Sequence, residues 1–282
     1  MLQPIVNRRP YSFPSLQFPN TTTMKTLLVL SASLLLCLSN AQAQEYKTKL
    51  TNAKDRKVTF EIDAGDIKIE GYNGDEVVIQ ANSGYEAPPE RAKGLKPLYY
   101  TAVDNTGLGL AVTPESGGLK IEKATRKSIK YTIKLPRKVG ILYQQTNWQK
   151  ADVTISNMDG DLEIKTNNGS MDLKNVTGPV VANTTNGEIN IVFSSIDQEK
   201  PTAISTINGE IDITLPASTK ANMKLQTIHG EMYTDFDLGI KNAKDGLARV
   251  GGSHSINGTT NGGGVDIQLK TINSNIYIRK QK

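Results

Sequence analysis

Glycine recurs at a step of nine residues through the middle of this chain, at Gly160, Gly169, Gly178 and Gly187. Apolar residues keep that step at Val153, Leu162, Met171, Val180 and Ile189, and again two positions on at Ile155, Ile164, Leu173, Ala182 and Ile191. Each unit is therefore a turn followed by a short apolar-polar-apolar strand, since a period of two places alternate side chains on opposite faces. The alternation, with a glycine in every unit, excludes a helix.

A second signature recurs at about twice that step: Thr166-Asn-Asn-Gly169, Thr184-Thr-Asn-Gly187, Thr206-Ile-Asn-Gly209, Thr227-Ile-His-Gly230 and Thr271-Ile-Asn-Ser274. The glycine steps are 18, 22 and 21, and the 44 residues from Thr227 to Thr271 read as two rungs with a loosely matching one between. Residues 133–146 echo 213–227 in the same register. This pattern predicts an all-β fold, a parallel β-solenoid whose rungs stack about 4.8 Å apart. The expected corners are Asn168-Gly169, Asn186-Gly187, Asn208-Gly209 and His229-Gly230, where glycine and asparagine accept a positive φ. Stacked Asn and Thr side chains can hydrogen-bond along the column. Leu162, Ile164, Met171, Leu173, Ile189, Ile191, Ile211, Ile213, Met232, Ile276 and Ile278 are expected inside. A one-residue slip would exchange the two faces, so the register is well specified.

Residues 44–145 use the same vocabulary less regularly and read as a strand-rich part that begins and caps the solenoid. Short strands follow Gly65 and Gly74. From Gly84 to Gly118 the pattern breaks around Pro88, Pro89, Pro97 and Pro114 and reads as loops; alternation returns at Ile129, Tyr131, Ile133 and Leu135. Regular rungs occupy 146–282, interrupted by a glycine-rich stretch, 239–264, read as a flexible insertion.

The chain's start has a different character. Lys25 follows Met24, an apolar run extends from Leu27 to Leu38, and Ala41-Gln42-Ala43 has the form of a cleavage site. Residues 24–43 read as a secretory signal peptide, too short to span a bilayer, cleaved after Ala43. The Pro-rich residues 1–23 read as a disordered over-extension before the true initiator, Met24. Cys37 has Leu34-Leu35-Leu36 before it instead of a small residue, which excludes a lipidated cysteine. An exported chain without cysteine after cleavage points to the periplasm, outer surface or medium, stabilised by packing rather than crosslinks. The mature chain contains no transmembrane segment by this reading.

Charge and rare residues narrow the function classes. The single Cys leaves no disulfide framework and no Cys-based zinc site. His229 and His254 lie too far apart for a paired-histidine metal motif. Net charge is +5, but residues 1–43 hold Arg8, Arg9 and Lys25 and no acid, which leaves 30 basic against 28 acidic residues. Even that balance is segregated: residues 120–138 carry eight bases against Glu122 alone, whereas 158–237 hold twelve acids against five bases.

The runs Gly160-Asp-Leu-Glu-Ile, Thr166-Asn-Asn-Gly169, Gly187-Glu-Ile-Asn-Ile and Gly209-Glu-Ile-Asp-Ile, with Leu-Pro turns at 135–136 and 215–216, resemble a bacterial family of exported β-strand-repeat proteins of unknown function. The resemblance covers roughly residues 58–280. The family carries an adhesin label, itself a family-level guess. The resemblance implies a noncatalytic envelope protein and transfers no functional residues.

Several candidate sites follow from the residues themselves. Stacked in register, Glu188, Glu210 and Glu231 would form an outward column about 5 Å apart, with Asp172 and Asp212 further along the same face. Such a column would raise its own pKa values or recruit Ca2+; the competing reading is a solvated face relieved by Lys174 and Lys224. The pairs Asp159/Asp161 and Glu210/Asp212 meet the roughly 5–9 Å needed for glycoside hydrolysis, which gives the alternative function of a polysaccharide-active lyase or glycosidase. Against it, an acidic column that repeats along the coil has the pattern of solubility positions, whereas an active site occurs once. Asn261-Gly-Gly-Gly-Val-Asp266 approaches one calcium-binding nonapeptide turn, but a single copy cannot build the stacked site and reads as a loop. His229 reads as a turn residue. His254 has no acidic neighbour in sequence.

A basic patch comprises Lys120, Lys123, Arg126, Lys127, Lys130, Lys134, Arg137 and Lys138, with anionic glycan, lipid headgroups or an acidic protein face as ligands and a solubilising, edge-protecting strand face as the plain reading. Trp148, Tyr99, Tyr100 and Tyr143 offer a sugar-stacking platform or, on the plainer reading, core and cap packing. The leading expectation is a noncatalytic exported scaffold that binds an envelope protein or glycan along its strand faces. No cofactor is expected, and nucleic acid is excluded by export.

Overall fold

The computed structural model describes residues 44–50, 56–62, 65–83, 85–86, 88–95, 98, 102–240 and 254–282, which belong to one compact unit, Ala43–Lys282. Residues 1–43, expected to hold an over-extended start and a signal peptide, lie outside the described residues, as do Tyr99 and Tyr100.

In chain order the strands are β1 (Glu45–Lys49), β2 (Lys57–Glu61), β3 (Ile67–Tyr72), β4 (Glu76–Ser83), β5 (Leu110–Glu115), β6 (Gly118–Lys123), β7 (Lys130–Pro136), β8 (Gly140–Gln144), β9 (Val153–Ser156) and β10 (Leu162–Lys165). There follow β11 (Met171–Val176), β12 (Val180–Asn183), β13 (Ile189–Phe193), β14 (Thr202–Ser205), β15 (Ile211–Leu215), β16 (Ala221–Thr227), β17 (Met232–Thr234), β18 (His254–Thr260), β19 (Val265–Lys270) and β20 (Ile276–Lys280). They form two sheets of ten strands. Sheet 1 runs β1-β4-β7-β3-β9-β11-β13-β15-β20-β17 and sheet 2 runs β18-β16-β19-β14-β12-β10-β8-β2-β6-β5. A rung is one strand of sheet 2 followed by one of sheet 1, and the pairing of successive rungs is parallel, as in β10 on β12 and β11 on β13. The fold is an all-β, two-sided parallel solenoid.

The alternation read from the sequence places the core. The expected inward residues are buried except Met232, which is half-buried, and they join one apolar cluster running between the sheets. Phe60 and Tyr143 lie within it, ring centroids 6.3 Å apart. Tyr143 therefore serves packing.

Rung order departs from chain order at both ends. The rung β2/β3 lies between β6/β7 and β8/β9, and the rung β19/β20 lies between β14/β15 and β16/β17. The Thr227-to-Thr271 interval therefore does not hold a further rung beyond Thr227. Instead the last rung returns and threads inside the one before it, with β19 bonded to both β14 and β16. Each threaded rung has neighbours on both sides, so its backbone groups are paired within the coil.

Antiparallel strands cover the coil's ends. β4 pairs with β7 and β1 with β4, while β5 lies against β6. The stretch between Gly84 and Gly118, expected as loops, thus contributes β5, which carries Pro114 on an edge strand, where a missing N–H is tolerated. Of the glycine-rich stretch expected as an insertion, residues 241–253 lie outside the described residues, while 254–260 form β18, a capping strand antiparallel to β16. Phe236 and Leu238 are buried, and the Leu238 carbonyl accepts from the Thr259 N–H.

Candidate binding grooves at the two corners

The corner leading from sheet 2 to sheet 1 is nearly the same in four adjacent rungs. Residues 166–170, 184–188, 206–210 and 271–275 connect the strands, and the threonine that opens each is buried. Thr206 Oγ1 donates to the Gly187 carbonyl (3.2 Å) and Thr271 Oγ1 to the Gly209 carbonyl (3.1 Å). Asn208 Nδ2 donates to Asn186 Oδ1 (2.7 Å), and Asn273 Nδ2 to Asn208 Oδ1 (2.6 Å), which makes an amide ladder on the surface.

The expected positive φ is found at the corner glycines Gly169 (148°) and Gly187 (159°), but at none of the expected corner asparagines. Gly187 also permits close approach: a Cβ there would sit 2.0 Å from the Gly169 carbonyl oxygen. Ser274 takes the equivalent slot in the threaded rung, so that rung's backbone is fitted to a side chain.

These residues line an open trough of about 540 Å³, with Asn168, Asn186 and Asn208 along it, Glu188 and Glu210 beside them and Lys150 at one end. Ile207, Ile272 and Ile228 follow in the adjoining register, Ile207 and Ile228 exposed. Exposed Trp148 lies at the same end as Lys150, its carbonyl accepting from Asn168 Nδ2 (3.3 Å). His229 ends the ladder as an exposed turn residue.

Threading also breaks the expected carboxylate column. Glu188 neighbours Glu210, but Asn275 stands between Glu210 and Glu231, because β20 separates β15 from β17. Asn275 Nδ2 donates to Glu210 Oε1 (3.3 Å), and its Oδ1 accepts from the Glu231 N–H (2.9 Å). Among the described residues, no group of three or more His, Cys, Asp or Glu is disposed to hold a metal ion.

The opposite corner, from sheet 1 to sheet 2, changes from rung to rung: its connections are 137–139, 157–161, 177–179, 194–201 and 216–220. A second groove opens along it, about 610 Å³, lined by Arg56, Lys57, Lys138, Asp159, Asp161, Glu163 and Lys200, with Gly140, Gly160, Pro179, Val181 and Pro201 among its neutral residues. Arg137 grips Asp159 through two bonds (2.9 and 3.1 Å), which hold the Asp159 carboxyl below its usual range and raise the guanidinium. Lys200 pairs with Asp161 (2.6 Å), and Lys57 lies 3.8 Å from Glu163.

The remaining sequence candidates disperse. Of the basic patch, Lys120, on sheet 2, is held by Glu61 and Glu122, while Lys130, on sheet 1, is held by Asp66. Lys127 pairs with Glu86, Lys123 is buried, Arg126 has its own partner, and Lys134 lies beside Glu70 in register. The eight bases thus share no single face; of them Lys138 lines the second groove, and Arg137 touches it through Asp159. Of the other paired acids, Asp212 is held by Arg279 (2.8 Å). Tyr233 and Tyr277, outward on β17 and β20, stack at 5.4 Å with Arg279 against Tyr277. Sequence spacing missed both this pair and the place of Arg56, because threading brings the partners together; the outward tyrosines were the visible signal.

The model of the Toastrack DUF4097 family matches residues 109–279. The chain belongs to that family. No curated protein matches this Toastrack chain. Among solved structures, a protein of Clostridium sporogenes provisionally described as a cell adhesion protein shares 13% identity over 85% of this chain and 100% of its own, with a TM-score of 0.48. One of Bacteroides fragilis, provisionally an adhesin, shares 11% over 86% and 98%, at 0.35. One of Parabacteroides distasonis, provisionally a lipid binding protein, shares 10% over 86% and 98%, at 0.26. No helix among the described residues is long and apolar enough to cross a membrane.

Proposed function

We propose that this Toastrack protein is an exported, noncatalytic scaffold that binds an extended partner, glycan or protein strand, along the Asn-Gly corner. The observation that carries the reading is the trough with its Asn186–Asn208–Asn273 ladder, flanked by Glu188 and Glu210 and by the isoleucine ridge. Donors, acceptors and apolar contacts there recur at strand spacing, so a ligand with its own repeat meets them in register. Rigid stacked rungs add affinity by reducing the ordering cost of binding.

The test is glycan-array and envelope-extract binding by the wild type and by Asn208→Ala combined with Ile207→Ala. An extended ligand captured by the wild type and lost by the variant supports the trough; equal binding refutes it. Export is tested separately by N-terminal sequencing of the secreted chain, expected to begin at Gln44.

A second reading, a polysaccharide-active enzyme, is favoured by the mixed acids and bases of the second groove. Its weakness is electrostatic: a general acid needs a raised pKa, whereas Arg137 lowers that of Asp159. Reducing-end release from a uronate polymer, lost in Asp159→Asn, would establish it.

A further inference from the structure

We infer that the second groove is a binding site for a linear anionic polysaccharide, with Arg56 and Lys138 as its anion contacts. This site stands apart from the Asn-Gly trough and does not depend on it.

The argument begins with charge. Each carboxylate in the groove already has a cation: Asp159 has Arg137, Asp161 has Lys200 and Glu163 has Lys57. Arg56 and Lys138 remain as a surplus: among the described residues neither has a carboxylate within ion-pair distance, although Lys138 lies close enough to Asp159 to help lower its pKa. They come from different parts of the chain. Arg56 precedes β2 and Lys138 precedes β8, and the threaded rung sets these strands side by side, Lys57 opposite Gly140. The Gly140 N–H donates to the Arg56 carbonyl (2.9 Å), which fixes the two segments together. Two cations on adjacent rungs give a carboxylate or sulfate a charge-assisted contact from each side.

Shape selects the kind of anion. From Arg56, the groove passes Gly140, Gly160, Pro179 and Pro201 on successive rungs, a path of about 19 Å at strand spacing. Exposed Pro201 and Val181 offer apolar contact to the C–H faces of sugar rings, and buried Pro179 forms part of the floor between them. The Asp161–Lys200 pair, further along, has acceptors and donors for hydroxyls. A planar bilayer surface cannot enter a concave corner. A nucleic acid duplex would need a broad basic face, and the surrounding bases are tied to acids.

The experiment is isothermal titration of the secreted protein with polygalacturonate, with neutral dextran, anionic phospholipid vesicles and duplex DNA as comparators. Polygalacturonate should bind, and the Arg56→Gln/Lys138→Gln double variant should bind it about tenfold more weakly. Lys174→Gln/Lys134→Gln, which removes equal charge from sheet 1, should bind as wild type. Thermal melting confirms that the variants fold, and should Arg56→Gln unfold, Lys138→Gln alone, expected to weaken binding, replaces the pair. The inference is overturned by absent binding, by equal loss in both double variants, or by tighter binding of vesicles or DNA. Asn208→Ala, which reports on the trough, should leave polygalacturonate binding unchanged; its loss there would place the ligand in the trough and overturn the inference too.

Discussion

The two corners of the coil reverse the chain between the same two sheets with different chemistry. At the Asn-Gly corner, connections from 166–170 to 271–275 keep one length, a buried threonine binds a neighbouring carbonyl, and amides bond from rung to rung. At the other corner the connections vary in length and ion pairs replace the ladder. Uniformity permits tight stacking, because each rung presents to the next the shape it received. The variable corner stacks as closely at Gly160 and Gly178, where a Cβ would lie 2.3 and 2.2 Å from the Val139 and Gly160 carbonyl oxygens, and opens at Gly140, beside the groove. Backbone fit therefore serves both corners, the second adds ion pairs and one open step, and substitutions at Gly140 and at the Asn-Gly corner should behave differently.

The largest expected difference is at glycine. Gly187→Ala places a Cβ 2.0 Å from the Gly169 carbonyl oxygen, so backbone must move, whereas at Gly140 the nearest atom, the Asp161 carbonyl oxygen, is 3.5 Å away in ordinary contact. Gly187→Ala should cost about 3 kcal/mol, and Gly140→Ala should fall within about 0.5 kcal/mol of wild type. Urea unfolding of both variants checks this. Similar losses would show that Gly140 is held as tightly as Gly187.

Sequence showed the repeat for a physical reason: burial forces a period of two on every strand, and close approach forces glycine into most Asn-Gly corners. Leu162, Ile189 and Ile211 were therefore visible as core. Rung order was not visible. The inward residues of β16, β17, β19 and β20 are uncharged and, Thr227 aside, apolar, so no side chain marks which rung stacks on which, and nothing local to Thr271 says that it sits beside Thr206. The candidate sites inherited that blindness. Glu188 and Glu210 were correctly placed as neighbours because their rungs follow in chain order, while Glu231 was misplaced by one threaded rung. Arg56 became a partner of Lys138 by the same route.

Buried hydroxyls give a smaller contrast. Thr271 Oγ1 donates to the Gly209 carbonyl at 3.1 Å, while Thr202 Oγ1, buried near the other corner, only accepts a longer bond from the Val180 N–H at 3.3 Å. Thr271→Val should cost about 1–2 kcal/mol and Thr202→Val less, since the first removes the better-formed bond from a buried carbonyl. Melting midpoints rank the pair, and a reversed order would mean that the ladder corner does not rely on its hydroxyls.

The smallest effect belongs to the groove corner and depends on pH. Arg137 holds the Asp159 carboxyl below its ordinary value, and Lys130 does the same for Asp66 on sheet 1. A carboxylate whose folded-state pKa is lowered stabilises the fold above the unfolded value, about 3.9, and that contribution is lost as pH falls through the folded value. Arg137→Ala should therefore lower stability by about 1 kcal/mol or less at neutral pH, given a pair still partly open to solvent. The difference from wild type should shrink below pH about 4, because protonated Asp159 no longer rewards the arginine. At the Asn-Gly corner, Asn208→Ala removes a neutral amide, so its penalty should stay constant over the same range. Thermal melts of both variants from neutral to acid pH separate the two cases. If both penalties fade together in acid, charge supports the ladder corner as well, and the contrast in ion pairing between the corners fails.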